Sequence, residues 1–109
     1  MSTFQHLKFG TELELNAASF TGAAVLVGSL QENPSIITFS NDSDVDGFLA
    51  DNSGSTKGIT LIAGKSIIVD CVTNADKAAQ TLQFRKGTNF YFTAAVGTGA
   101  FRVGVMYAE

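Results

Sequence analysis

The sequence predicts an all-β fold: a single-domain antiparallel β-sandwich, jelly-roll-like, of about eight strands with an N-terminal arm. Three observations carry that expectation. Eleven Gly, nine Phe, a single Pro and no Trp in 109 residues, with many Thr and Val, make a strand-and-turn composition. Short apolar or alternating runs recur between clusters of Gly, Ser and Asn, at the spacing of sandwich strands. The best helical stretch, "NADKAAQ" at 74–80 with Asn74 as a cap, is only about two turns long.

The elements follow in order. Residues 1–22 read as an arm with one or two short strands, placed either within the subunit or against a neighbouring one. In "ELEL", Leu13 and Leu15 share one face and Glu12 and Glu14 the other. The sandwich domain is expected over 23–109. "AAVLVGSL" (23–30) is a continuous apolar run, the mark of a strand covered on both faces. Pro34 cannot donate to a ladder and belongs to the turn before "SIITFS" (35–40). "DNSGSTKG" is a loop by composition.

"ITLIAGKSIIVDCVTN" (59–74) predicts a hairpin turned at "AGK", with Ile67, Val69 and Cys71 on one face and Ile68, Asp70 and Val72 on the other. "TLQF" (81–84) and "FYFTAAV" (90–96) are further strands separated by the turn "RKGTN". In the closing "FRVGVMYAE", Phe101, Val103, Val105 and Tyr107 point one way and Arg102, Gly104 and Met106 the other. "GTG" at 97–99 offers the positive φ of a tight hairpin.

Composition narrows the function classes. Seven Lys and Arg scattered through a chain of net charge −3 do not make the basic patch that nucleic acid requires. No apolar run reaches the roughly 18 residues of a membrane span, and "MSTFQHLKFG" lacks a signal-peptide core, so synthesis in a cytoplasm is expected. Cys71 is the only cysteine, which excludes an intrachain disulfide or an all-cysteine zinc site. The single histidine, His6, sits in the arm, and no G-x-S-x-G elbow surrounds any serine. Neither catalytic residues nor a cofactor site are expected, and the chain is not expected to be an enzyme.

"SNDSDVDGFLADNSGS" (40–55) is the stretch that most resembles chemistry. Asp42, Asp44 and Asp46 followed by Gly47 satisfy the first half of a calcium loop. The second half fails, because Ser53 stands where the bidentate glutamate belongs. Strand-like flanks replace the helices such a loop needs. In an extended chain, alternate residues lie roughly 6.5–7 Å apart, too far for three carboxylates to share one ion unless the chain curls. The competing reading is a strand that shows the three aspartates to water and turns Ser43, Val45 and Gly47 inward. Asp70 interrupts an apolar strand, so it must be exposed, paired, or placed at a subunit contact. Phe39, Phe84, Phe90, Phe92 and Phe101 fit core positions. Phe4, Phe9 and Phe20 lie in a weakly patterned segment and, with Asp70, are the interface candidates.

Four features over residues 36 to 109 carry a resemblance. They are "SNDSDVD" ahead of a strand, "IAGKSIIVDCVTN", "LQFRKGTNFYF" with its Lys-Gly-Thr turn, and the closing "GTGAFRVGVMYAE". In this order they resemble small all-β virion structural proteins of tailed bacteriophages, of the capsid decoration or cement kind. The resemblance implies a non-enzymatic virion component, made in the host cytoplasm. It implies a homo-oligomer that contacts other virion proteins such as the major capsid protein, without nucleic acid or membrane. The alternative it leaves open is a tail, neck or fibre module that binds a host-surface glycan or receptor.

Overall fold

The structure, a computed structural model, describes residues 7–71 and 84–108. Phe4, His6, the stretch 74–80 and the first three residues of "TLQF" lie outside the described residues. Nine strands form among those described: β1 (Leu7–Phe9), β2 (Leu13–Asn16), β3 (Ala24–Ser29), β4 (Ile36–Asn41), β5 (Gly47–Ala50), β6 (Ile59–Leu61), β7 (Ser66–Asp70), β8 (Asn89–Ala94) and β9 (Ala100–Ala108). A single 3-10 turn, Ala17–Ser19, follows β2 with the Asn16 side chain capping it.

Two antiparallel sheets make one β-sandwich domain. The first sheet runs β1-β9-β4-β7, with β2 also on β9; the second runs β3-β8-β5-β6. The two orders mirror each other. β2 pairs β9 where β3 pairs β8, β9 pairs β4 where β8 pairs β5, and β4 pairs β7 where β5 pairs β6. The sandwich is therefore a ribbon of four long arms, β2–β3, β8–β9, β4–β5 and β6–β7, folded over once across its middle. Every arm passes through both layers.

Period-two patterning explains which side is buried. Ile37 and Phe39 of β4 and Phe101, Val103 and Val105 of β9 face inward and are buried, while their alternates are half-buried. Leu49, Phe90 and Phe92 meet them from the second sheet. Aromatic packing ties the layers together: Phe92 stacks on Phe101 with ring centroids 4.2 Å apart, and Phe39 meets Phe90 edge-on at 5.2 Å. Burying each such side chain contributes about 1.5–3 kcal/mol before entropy is charged against it.

Three expectations change. The turn at Ala63–Lys65 exists, but β6 and β7 belong to different sheets, so it is an arch rather than a hairpin. The same is true of Gly97–Gly99, which carries the chain from β8 to β9. A hairpin in one layer would aim both apolar sides the same way; the arch lets Leu61 and Ile67 face each other across the core. The strand expected over the aspartates is a bend at 42–46, and the strand itself starts at Gly47.

Residues 7–22 are built into this sandwich. β1 and β2 hydrogen-bond to β9, and Phe20 is 3% exposed, its ring 5.4 Å from that of Phe92. Phe20 is thus a core residue and leaves the set of interface candidates. Its weak local pattern reflects a side chain that reaches the core from a turn instead of a strand.

Candidate functional site

The fold line of the ribbon brings four chain crossings side by side: 17–23, 95–99, 42–46 and 62–65. Asn41 stands at its centre. It closes the inward series Ile37, Phe39, Asn41 and is fully buried. Its Nδ2 donates to the carbonyls of Val45 and Leu61, both at 2.9 Å. Its Oδ1 accepts from Ser43 N at 3.2 Å and from Ser43 Oγ at 2.6 Å. One amide thereby satisfies backbone groups on two neighbouring arms, as burial demands.

The aspartates work outward from the same bend. Asp44 Oδ1 accepts from Thr98 N at 2.9 Å, and Asp46 Oδ1 accepts from Ala63 N at 2.9 Å. Asp42 Oδ2 accepts from Arg102 Nη1 at 2.9 Å, and Arg102 Nε reaches Glu14 Oε2 at the same distance. The alternation read from the sequence holds, with Asp42, Asp44 and Asp46 exposed and Ser43 and Gly47 buried. Each carboxylate serves a different partner on a different element. They do not converge on a point where an ion could sit, and no group of three or more metal-ligating side chains exists among the described residues. A strand ladder cannot continue through a sharp bend, so side-chain acceptors take over the backbone donors there. Glycine permits the approach: a Cβ at Gly97 would collide with Asp44 Oδ1, and Gly99 sits at φ +93° against the Asp42 carbonyl.

The Thr98 backbone N–H, and then its hydroxyl, hold the Asp44 carboxyl below the usual carboxylate range. A depressed folded-state value means stability that is present above the unfolded value and lost as pH falls through the folded one. Carbon-detected NMR titration is therefore expected to show Asp44 protonating below the usual carboxylate range, with the Thr98 amide resonance moving in step. Independent movement of the two would contradict this pairing.

Cys71 follows β7 and is buried, with Ile67 and Val69 on the same inward side and Ile68 and Asp70 exposed on the other. It lies at the inner wall of a cleft of about 690 Å³ that opens to the surface beside Asp51, Lys57 and Ile59, with Phe39, Val69 and Phe90 at its base. Burial pushes the thiol pKa up, the Phe84 backbone opposes this, and the Asp70 charge adds to the rise. A raised value favours the neutral thiol, so this contribution is lost as pH rises through the folded-state value. Cys71 is expected to react with a disulfide reagent at the rate of unfolding, and rapid labelling of native protein would refute its burial.

The outer face of the first sheet differs from this polar fold line. Cross-strand partners place Phe9, Met106, Ile36 and Asp70 in one row, with Leu7 and Ala108 beyond it. Gly104, Thr38 and Ile68 form the next row, and Glu14, Arg102, Ser40 and Ser66 the next. Phe9 is 85% exposed, Ile68 73% and Leu7 43%. Two interface candidates, Phe9 and Asp70, therefore share one surface, at opposite edges of it.

Sequence reasoning did not single out Asn41 or Arg102. Asn41 had a legible signal, a polar residue at an inward position of an alternating strand. Arg102 had none, because Glu14 and Asp42 are far from it in the chain.

No protein-family model matches the chain, and no curated protein matches it. Among solved structures, it is similar to the phage SPP1 Dit protein, described as a paradigm of the hub adsorption apparatus in phages that infect Gram-positive hosts. That likeness has 15% identity and a TM-score of 0.43, covering 93% of this chain and 49% of the other. The chain thus spans about half the length of that protein. It is also similar to Bacillus endospore appendages, described as a family of disulfide-linked pili, at 12% identity and a TM-score of 0.45. Here 96% of this chain and 90% of the other are covered.

Proposed function

We propose that this chain is a non-enzymatic structural protein of a bacteriophage virion, and specifically a capsid decoration module that acts as a homo-oligomer on the major capsid protein. The observation that carries the reading is how the side chains are used. The residues that most resembled chemistry, Asp42, Asp44 and Asp46, hold the fold line, while large apolar side chains stand on the outer face of a sheet. A surface of that kind suits repeated contacts between copies. The resemblance carried by residues 36 to 109 supports the same class.

Copy number in purified particles tests it. Decoration predicts many copies per particle, and particles lacking the protein that break at lower temperature or lower salt. A tail, neck or fibre module predicts few copies, and loss of adsorption with shells of unchanged strength. Absence of the protein from particles would overturn both.

A further inference from the structure

We infer that the outer face of the first sheet is a self-association surface, and that its occupant is the same face of a second copy of this chain. The inference deepens the oligomeric part of the reading above and rests on it only for biological purpose. Phe9, Ile68 and Leu7, with half-buried Ile36, Met106 and Ala108, are contiguous by strand register. On the areas such side chains carry, they offer roughly 400 Å² of apolar surface. A standard interface buries about 800 Å² per partner, a little over half of it apolar. The face therefore supplies the apolar part that a stable dimer needs.

The layout is also self-complementary. Its apolar rows lie toward the Leu7 and Ala108 end, and its polar row, Glu14, Arg102, Ser40 and Ser66, lies toward the fold line. A two-fold axis parallel to the strands, between β9 and β4, stacks apolar end on apolar end and polar row on polar row. Met106 then meets the second copy's Ile36, and Phe9 at one edge lies over the second copy's Asp70 at the other, with that copy's Ile68 one row further along the strand. An axis across the strands at the level of Gly104 and Thr38 would set Phe9 and Met106 on the charged row instead. Gly104, which carries no side chain in the middle of the face, leaves room for the sheets to approach at the usual spacing of about 10 Å.

Sedimentation equilibrium of the whole chain is the test. The wild type is expected to sediment at twice the chain mass. Phe9→Glu and Ile68→Glu are each expected to sediment at the chain mass, with unchanged circular dichroism, since both side chains point to solvent within the subunit. Val96→Glu, an equally exposed apolar position outside this face, is expected to leave the dimer intact. A monomeric wild type, or Phe9→Glu and Ile68→Glu proteins that remain dimeric, would overturn the inference. The two readings fail separately. A monomer that still decorates particles removes only this surface, and a dimer missing from particles removes only the virion role.

Discussion

Asn41→Asp is expected to lower stability at neutral pH by about 3 kcal/mol or more. The change keeps size and shape, so no cavity or clash enters. It removes the two N–H donors that satisfy the Val45 and Leu61 carbonyls, and it aims a carboxylate oxygen at them. An unsatisfied buried acceptor costs roughly 1–3 kcal/mol, and a buried charge costs more. The introduced carboxyl is also expected to have a raised pKa, since both burial and the facing carbonyls disfavour its ionised form. The deficit is then smallest below the unfolded-state value near ~3.9 and grows as pH rises through the folded-state value. Urea unfolding at several pH values measures both. A loss under about 1 kcal/mol at pH 7 would mean that the fold line does not depend on this amide.

Gly47→Ala is expected to cost a comparable amount, about 3 kcal/mol, for the opposite reason. Gly47 begins β5 and faces the core, and a Cβ there would enter the ring of Phe92. A ring tip often swings aside, but this one is held. Phe92 lies flat on Phe101, 9° from parallel, and Phe20 leans on it from another side. Shifting it disturbs three aromatic residues at once, two of which are completely buried. Phe92→Leu in the Gly47→Ala background is expected to recover part of the loss, although Phe92→Leu alone destabilises. A double-mutant cycle from thermal or urea unfolding reads that coupling, and strict additivity would show that the ring yields more easily than its packing implies.

The layers of the sandwich were legible, while their connections were not. Alternation in "FRVGVMYAE" puts Phe101, Val103, Val105 and Tyr107 on one face and Phe39 fits a core position; the structure buries Phe39, Phe101, Val103 and Val105 and leaves Tyr107 half-buried. Ile67, Val69 and Cys71 likewise share the inward side of β7. The glycine turns at 63–65 and 97–99 were also placed where the chain reverses. Whether such a reversal stays in one sheet or crosses to the other is not a local property, because the turn residues are the same in both cases. Packing between Leu61 and β7, or between Phe92 and Phe101, decides it. The aspartates failed in the same way. Their outward alternation was correct, but the partners that hold them, Thr98 and Ala63, lie 54 and 17 residues away. Phe20 was obscured because a side chain entering the core from a turn has no period to betray it.

Folding a ribbon across its middle also sets when the protein can fold. β9 is the central strand of its sheet, hydrogen-bonded to β1, β2 and β4, and it pairs Leu7 with Ala108. Until β9 has been made, β1 and β2 have no strand to pair with and the first sheet holds only β4 and β7, so that layer is completed late in synthesis. Partners so distant along the chain place its folding among the slow, all-β cases, on the order of milliseconds to seconds.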